Sequence, residues 1–306
     1  MDIGFMGVRV LRKIVHSIDF PAFAKRIIYK KIHSGIERKI IYDLSLMPFL
    51  DDQDSIRAVK TNGMGSETVW MFWWNPNNIT ELSESNIRIA RNIFDENFVL
   101  VTASNIAEYL ELPDWLLEKL SNDEITIQLF SDIVRMALLS NYGGVWADST
   151  IMFVPNKNMK LMFNLPFYSR KGSDVFCNEY VPAGRWSIYL FGGKSELPLF
   201  AFVLSGLLRY VKYGVKPPDY FLVDYLVDMG FKQDVGRICD YWSYVPVNNE
   251  DIETLKPIQD DLVNLKLVNE ILANTFAFKM SNKDVPDFAK DQSMFKYIKK
   301  LGSNTL

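Results

Sequence analysis

The sequence predicts an α/β fold built on a sheet with parallel strand pairs, and three observations carry that prediction. Apolar, β-branched runs alternate with helical periodicity between Thr68 and Leu120, the strand–helix–strand–helix order of such a sheet. Phe130, Ile133, Val134, Ala137 and Leu138 recur at i, i+3, i+4, i+7 and i+8, which marks one buried helix face. Gly143-Gly144 breaks that helix, and a short apolar strand, Val145-Trp146-Ala147, delivers Asp148 to its end. Ligands of open α/β sheets bind beyond the carboxyl ends of the strands, so chemistry is expected at Asp148.

Taken in order, Met1–Lys60 is charge-asymmetric. Arg9, Arg12, Lys13, Lys25, Arg26, Lys30, Lys31, Arg38 and Lys39 outnumber the acids before Asp43, and Phe5, Val8, Leu11, Val15 and Ile18 follow near-helical spacing. Such a basic amphipathic segment suits either an anionic membrane surface or packing on the rest of the chain. Asp51–Asp54 and Thr61–Ser66 read as linkers. Thr68–Trp74 is an aromatic, β-branched strand closed by the turn Asn75-Pro76-Asn77-Asn78. Glu84–Phe94 is helical, with Ile87, Ala90, Ile93 and Phe94 apolar, and Phe98–Thr102 is a second strand. Short helices are expected over Asn105–Tyr109 and Pro113–Leu120. After Phe153 the order is mixed: a strand over Ser187–Phe191, then helices over Leu199–Lys212 and Tyr220–Met229. Asp224 and Asp228, four apart on the last of these, are expected on a solvated face.

Composition narrows the function. The 306 residues are 48% hydrophobic and 14% aromatic, which suits globular structure, and 23% charged with a net charge of -3, which gives no case for nucleic-acid binding. Two cysteines, Cys177 and Cys239, do not make a disulfide framework and are expected as reduced core residues of a cytosolic protein. The only histidines, His16 and His33, precede the region of interest, which leaves no Ser-His-Asp triad or histidine-rich zinc site beyond them. A metal there would need oxygen ligands, as Mg²⁺ or Mn²⁺ does. No GxxxxGK[ST] loop is present. No apolar run reaches the roughly 20 residues that span a bilayer, and the start makes a poor signal peptide.

Asp132 and Arg135, three apart on the polar side of the Phe130 helix, complete the pattern Ser-Asp-x-x-Arg followed by Tyr142-Gly143-Gly144-Val145-Trp146-Ala147-Asp148. This block resembles the DXD-sugar-binding glycosyltransferases, most closely their capsular polysaccharide synthesis branch. The resemblance runs from about Thr68 to Phe288, with its specific part within Phe130–Phe153. It implies a GT-A type, Rossmann-like nucleotide-sugar-binding fold over residues 67–306, preceded by a basic helical segment and linker over 1–66. It further implies transfer of a hexose from a nucleotide sugar, UDP-linked and with retention, to a capsular or exopolysaccharide repeat-unit acceptor, lipid-linked or oligosaccharide. The expected place is cytoplasmic, at the inner face of the plasma membrane if the basic segment binds it.

The same resemblance implies the site. Asp132 and Arg135 would grip the donor sugar or phosphate, against the plainer reading of an exposed i,i+3 ion pair. Asp148 would hold a divalent cation, Mn²⁺ or Mg²⁺, that offsets the charge of the departing diphosphate. A full Asp-x-Asp would place a second carboxylate at Thr150; the triplet here is Asp148-Ser149-Thr150, so Thr150 would supply a hydroxyl ligand and Ser149 a donor contact, a weaker metal site. Trp73 would stack on the base, with the neighbouring Trp74 turned inward by strand alternation. Asp219, in Asp219-Tyr220-Phe221, would reach the cleft or cap a helix. Arg185, where related chains have Asn before Trp186, would assist a phosphate, and Asn274 would offer an oxygen. Two rivals stand beside this: a catalytically silent sugar- or nucleotide-binding protein, and a glycoside hydrolase with two facing carboxylates.

Overall fold

The computed structural model describes residues 10, 15, 17, 21–59, 65–173 and 179–303. In chain order it contains α1 (Ala22–Leu46), β1 (Arg57–Ala58), β2 (Val69–Phe72), α2 (Glu81–Phe94), β3 (Phe98–Val101), β4 (Leu110–Glu111), α3 (Asp114–Ser121), α4 (Ile127–Tyr142), β5 (Gly144–Ala147), β6 (Ile151–Phe153), α5 (Leu161–Asn164), β7 (Phe167–Ser169), β8 (Leu190–Gly193), α6 (Pro198–Lys212), α7 (Leu222–Lys232), α8 (Ile238–Ser243), α9 (Leu265–Leu272), β9 (Ala277–Lys279) and α10 (Met294–Ser303). The central sheet runs β3-β2-β5-β8-β7. Pairs β2–β3 and β2–β5 are parallel, whereas β8 runs antiparallel to both β5 and β7. The sheet is therefore mixed, and the expected parallel pairing holds for its first half only.

Strand alternation divides the core between the two faces of the sheet. Trp70, Phe72 and Trp146 pack with the Phe130 face of α4 and with α6 and α7. Val69, Met71, Val145 and Ala147 face the other layer, which holds Ile87 and Ala90 of α2, Phe278 of β9 and Phe295 of α10. Phe130, Ile133, Val134, Ala137 and Leu138 are all fully buried, as their spacing requires.

Thr80 caps α2 by accepting from Ser83 N at 3.2 Å, so the helix begins at Glu81 rather than Glu84. The strand expected over Ser187–Phe191 is Leu190–Gly193. Asp51–Asp54 is not a linker. Asp54 is buried, pairs with Lys212 of α6 and accepts from Trp115 Nε1 at 3.1 Å, tying the N-terminal region to the main body. Part of the second expected linker, together with Phe5, Val8, Leu11 and Ile18, lies outside the described residues.

Helix α1 packs on the body through one face. Tyr29, Ile32, Ile36 and Ile40 join the same core as α4 and α6, and Val15 is buried with them. Arg209 of α6 donates to the carbonyls of Leu44, Met47 and Pro48 at its C-terminal end. The opposite face exposes Phe23, Ile27, Ile41, Tyr42 and Leu46. Cys239 corrects the expectation of a core thiol: it is free and exposed, because α8 buries only Ile238. Cys177 lies outside the described residues.

Candidate functional site at the carboxyl end of β5

The Gly143-Gly144 break positions the site. Both residues have positive φ, 72° and 89°. A Cβ on Gly144 would lie 2.4 Å from Thr68 O, and one on Gly143 would lie 2.8 Å from Gly193 O. Only glycine lets α4 end and β5 start this close to the strands on either side. The helix and the strand it feeds thus hold Arg135 and Asp148 on fixed backbone.

Arg135 is 4% exposed and bridges two carboxylates, Asp132 Oδ1 at 2.7 Å and Asp148 Oδ1 at 3.1 Å. Its guanidinium stacks 4.8 Å from the Trp146 ring centre. The plain reading of Asp132–Arg135 as a surface pair is thereby excluded. Asp148 also accepts from Trp146 Nε1 at 2.9 Å and, through Oδ2, from Lys279 Nζ at 2.8 Å. Burial alone would raise its pKa, but Lys279 and Arg135 outweigh that and hold the carboxyl below its ordinary range. Asp132 has only Arg135 to offset its burial and lies close to Asp148, so its pKa is pushed up to about 6.

Lys279 was not singled out from the sequence. It ends β9, whose antiparallel pairing with β6 sets Lys279 opposite Ile151 and brings its ammonium to Asp148 and to Thr150 Oγ1 at 2.7 Å. The signal, in hindsight, is a lysine closing the apolar run Phe276-Ala277-Phe278. Asn274, which was singled out, is exposed. The expected metal ligands Asp148 and Thr150 are therefore already bridged by a cation, and Asp148 Oδ1 is spent on two N–H donors. Among the described residues no group of three or more His, Cys, Asp or Glu side chains stands where it would hold a metal ion. These side chains by themselves do not make an oxygen-rich divalent site, because both oxygens of the single carboxylate, Asp148, are held by N–H donors.

Ser149 is held by α2: Asn86 Nδ2 donates to its carbonyl at 3.1 Å and Ser83 Oγ donates to its hydroxyl at 3.4 Å. Trp74 packs inward on Phe72 and Phe130. Trp73, half-buried at the end of β2, donates through Nε1 to Asn78 at 3.0 Å. Asp219 is buried and its Oδ1 accepts from Phe221 N at 2.9 Å, a turn contact just before α7. Arg185 is engaged away from the cluster, with Asp228 at 2.6 Å and the carbonyls of Val181 and Pro182.

Asp224 and Asp228 correct the expectation of a solvated face, since α7 is a core helix apolar on most sides. Asp228 is neutralised by Arg185 and by Lys232 at 2.8 Å. Asp224 is 5% exposed; the Trp186 indole N–H stands close, yet Oδ1 completes no well-aligned hydrogen bond. Burial first, and the neighbouring Asp132 second, push its pKa up to about 7. The folded state then holds a proton that the unfolded chain loses near pH 4. The resulting penalty is absent below that pH, grows up to about pH 7 and is full above it. Asp224→Asn is expected to stabilise the protein by on the order of a few kcal/mol at pH 8 and by little at pH 4. Melting curves at the two pH values check this, and equal shifts at both would contradict it.

Cations, carboxylates and an indole thus gather beyond the carboxyl end of parallel strands, the place where α/β proteins of this kind present their ligand sites. The chain matches the family model described as capsular polysaccharide synthesis protein over residues 24–298, and it belongs to that family. No curated protein matches it. Among solved structures it is similar to "PaToxG Glycosyltransferase", with 12% identity, a TM-score of 0.38, and coverage of 92% of this chain and 97% of that one.

Proposed function

We propose that this protein is a GT-A type glycosyltransferase that moves a hexose from a nucleotide sugar, UDP-linked, to a growing capsular or exopolysaccharide acceptor, with retention. The observation that carries the reading is the Asp132–Arg135–Asp148 bridge beyond the end of β5, in a chain of the capsular polysaccharide synthesis family. Trp73 offers an aromatic face to the base, and Ser149 and Asp219 stand as further donor contacts. Asp132 and Asp224 accept hydrogen bonds from sugar hydroxyls, while Arg135 donates to the sugar or its phosphate. In the transfer the sugar C1–O bond to the diphosphate breaks and its electron pair leaves on the phosphate oxygen. The acceptor oxygen bonds C1, and its proton passes to that phosphate, so no separate carboxylate base is required. Screening the purified protein against a panel of nucleotide sugars, with release of nucleoside diphosphate as readout, tests this. Binding without turnover for every donor would instead favour a silent sugar-nucleotide-binding protein.

The acceptor reading extends to α1. Its outward face sets Phe23, Ile27, Ile41, Tyr42 and Leu46 beside exposed Lys30, Lys31 and Arg38. No helix among the described residues is long and apolar enough to cross a membrane. The face instead suits reversible docking on an anionic lipid surface, where each base is worth roughly 1 kcal/mol at low salt. Co-sedimentation with anionic liposomes is expected, weakened by salt and by the triple substitution Lys30→Glu, Lys31→Glu, Arg38→Glu. Binding that ignores both would refute it.

A further inference from the structure

We propose that Lys279 supplies at the donor diphosphate the positive charge that a divalent ion on Asp148 and Thr150 would otherwise provide. This rests on the glycosyl-transfer reading and deepens it. The ammonium sits between the two side chains, 2.8 Å from Asp148 Oδ2 and 2.7 Å from Thr150 Oγ1. That is the position a cation shared by the two would take.

Further observations support the assignment. Lys279 is not a loose surface side chain swung inward: its backbone N–H donates to Ile252 O at 2.7 Å, it lies in the β6–β9 ladder, and its ammonium stands 4.9 Å from the Tyr189 ring centre. An ammonium has three donors, and two are committed to Asp148 and Thr150, which leaves one for a phosphate oxygen. The side chain retains 26% exposure, so a ligand can reach it from the open side. A divalent ion entering here would instead meet Lys279 and Arg135 as like charges, with one carboxylate between them. Thr150 standing where a second carboxylate would be fits a monovalent occupant, because one carboxylate and a hydroxyl balance one ammonium.

In the transfer, the electron pair of the breaking C1–O bond leaves on the diphosphate oxygen, and Lys279 neutralises that developing charge with its proton retained. The acceptor hydroxyl oxygen forms the new bond to C1 and its proton goes to the diphosphate, so atoms and charge balance without a metal ion.

Calorimetric binding of UDP and GDP to the full chain, and turnover of whichever nucleotide sugar it accepts, should be measured in EDTA and again with MnCl₂. Wild type is expected to bind and turn over equally in both. Lys279→Met, which keeps the stem and removes the charge, is expected to lose at least tenfold in nucleotide affinity in EDTA, with Lys279→Arg partly restoring it and melting temperatures confirming folded protein. Turnover that vanishes in EDTA and returns with Mn²⁺ overturns this inference alone, as does a Lys279→Met protein that binds like wild type. Absence of nucleotide binding under both conditions overturns the glycosyl-transfer reading and this inference with it.

Discussion

Replacing Asp148 with Asn is expected to lower turnover by about a hundredfold or more, roughly 2.7 kcal/mol in the barrier. Asp148 is the point at which two cations from distant parts of the chain converge, Arg135 from α4 and Lys279 from β9. Asn keeps the shape and one acceptor oxygen, but it removes the negative charge that holds both cations in place and turns one N–H group toward one of them. The stability cost is expected to be smaller, about 1–2 kcal/mol, because the side chain is 29% exposed and Arg135 keeps Asp132. Steady-state kinetics beside a melting curve separate the two effects. Turnover at the wild-type level would remove Asp148 from the site.

The second large effect is expected from Arg135→Ala, and it is an effect on folding as well as on activity. Arg135 is 4% exposed, and its guanidinium neutralises two carboxylates and lies on the Trp146 ring. Its removal leaves Asp132 facing Asp148 without its partner, and breaking a buried pair in this way costs about 3–5 kcal/mol. Part of that cost is relieved by protonation of Asp132, which already sits at about 6. The sign follows: the orphaned carboxyl is neutral at acidic pH, so the variant should be closest to wild type near pH 5 and furthest from it at pH 8. Chemical denaturation at the two pH values reads this directly. A difference that stays constant with pH would contradict the protonation of Asp132, and one below about 0.5 kcal/mol would mean that the buried pair contributes no more than an exposed one.

Much of the fold was legible because the signals were local. The Phe130–Leu138 periodicity, the Gly143-Gly144 break and the apolar run Val69–Phe72 each follow from residue types within a few positions of one another. The Thr80 cap was missed, and it starts the helix three residues before the expected Glu84. What failed were inferences that needed the neighbours of a residue. Asp224 and Asp228 look solvated at i,i+4 spacing, yet α7 runs through the core and buries both. Asp54 looks like part of a linker, yet Lys212 and Trp115 hold it. Arg185 looks free for a phosphate, yet Asp228 occupies it.

The sequence by itself determined an α/β chain with one polar pair on α4, a glycine break and a strand-borne Asp148, because each depends on spacing within a few residues. It also carried the family, since that pattern and the match over residues 24–298 are properties of the chain order. Only the tertiary structure decided that β7 and β8 run antiparallel, that α1 shares the core, and that Lys279 rather than a group near Asn274 meets Asp148. The physical reason is separation along the chain. Lys279 reaches Asp148 across 131 residues through the β6–β9 pairing, and a charge carried that far registers in no local periodicity.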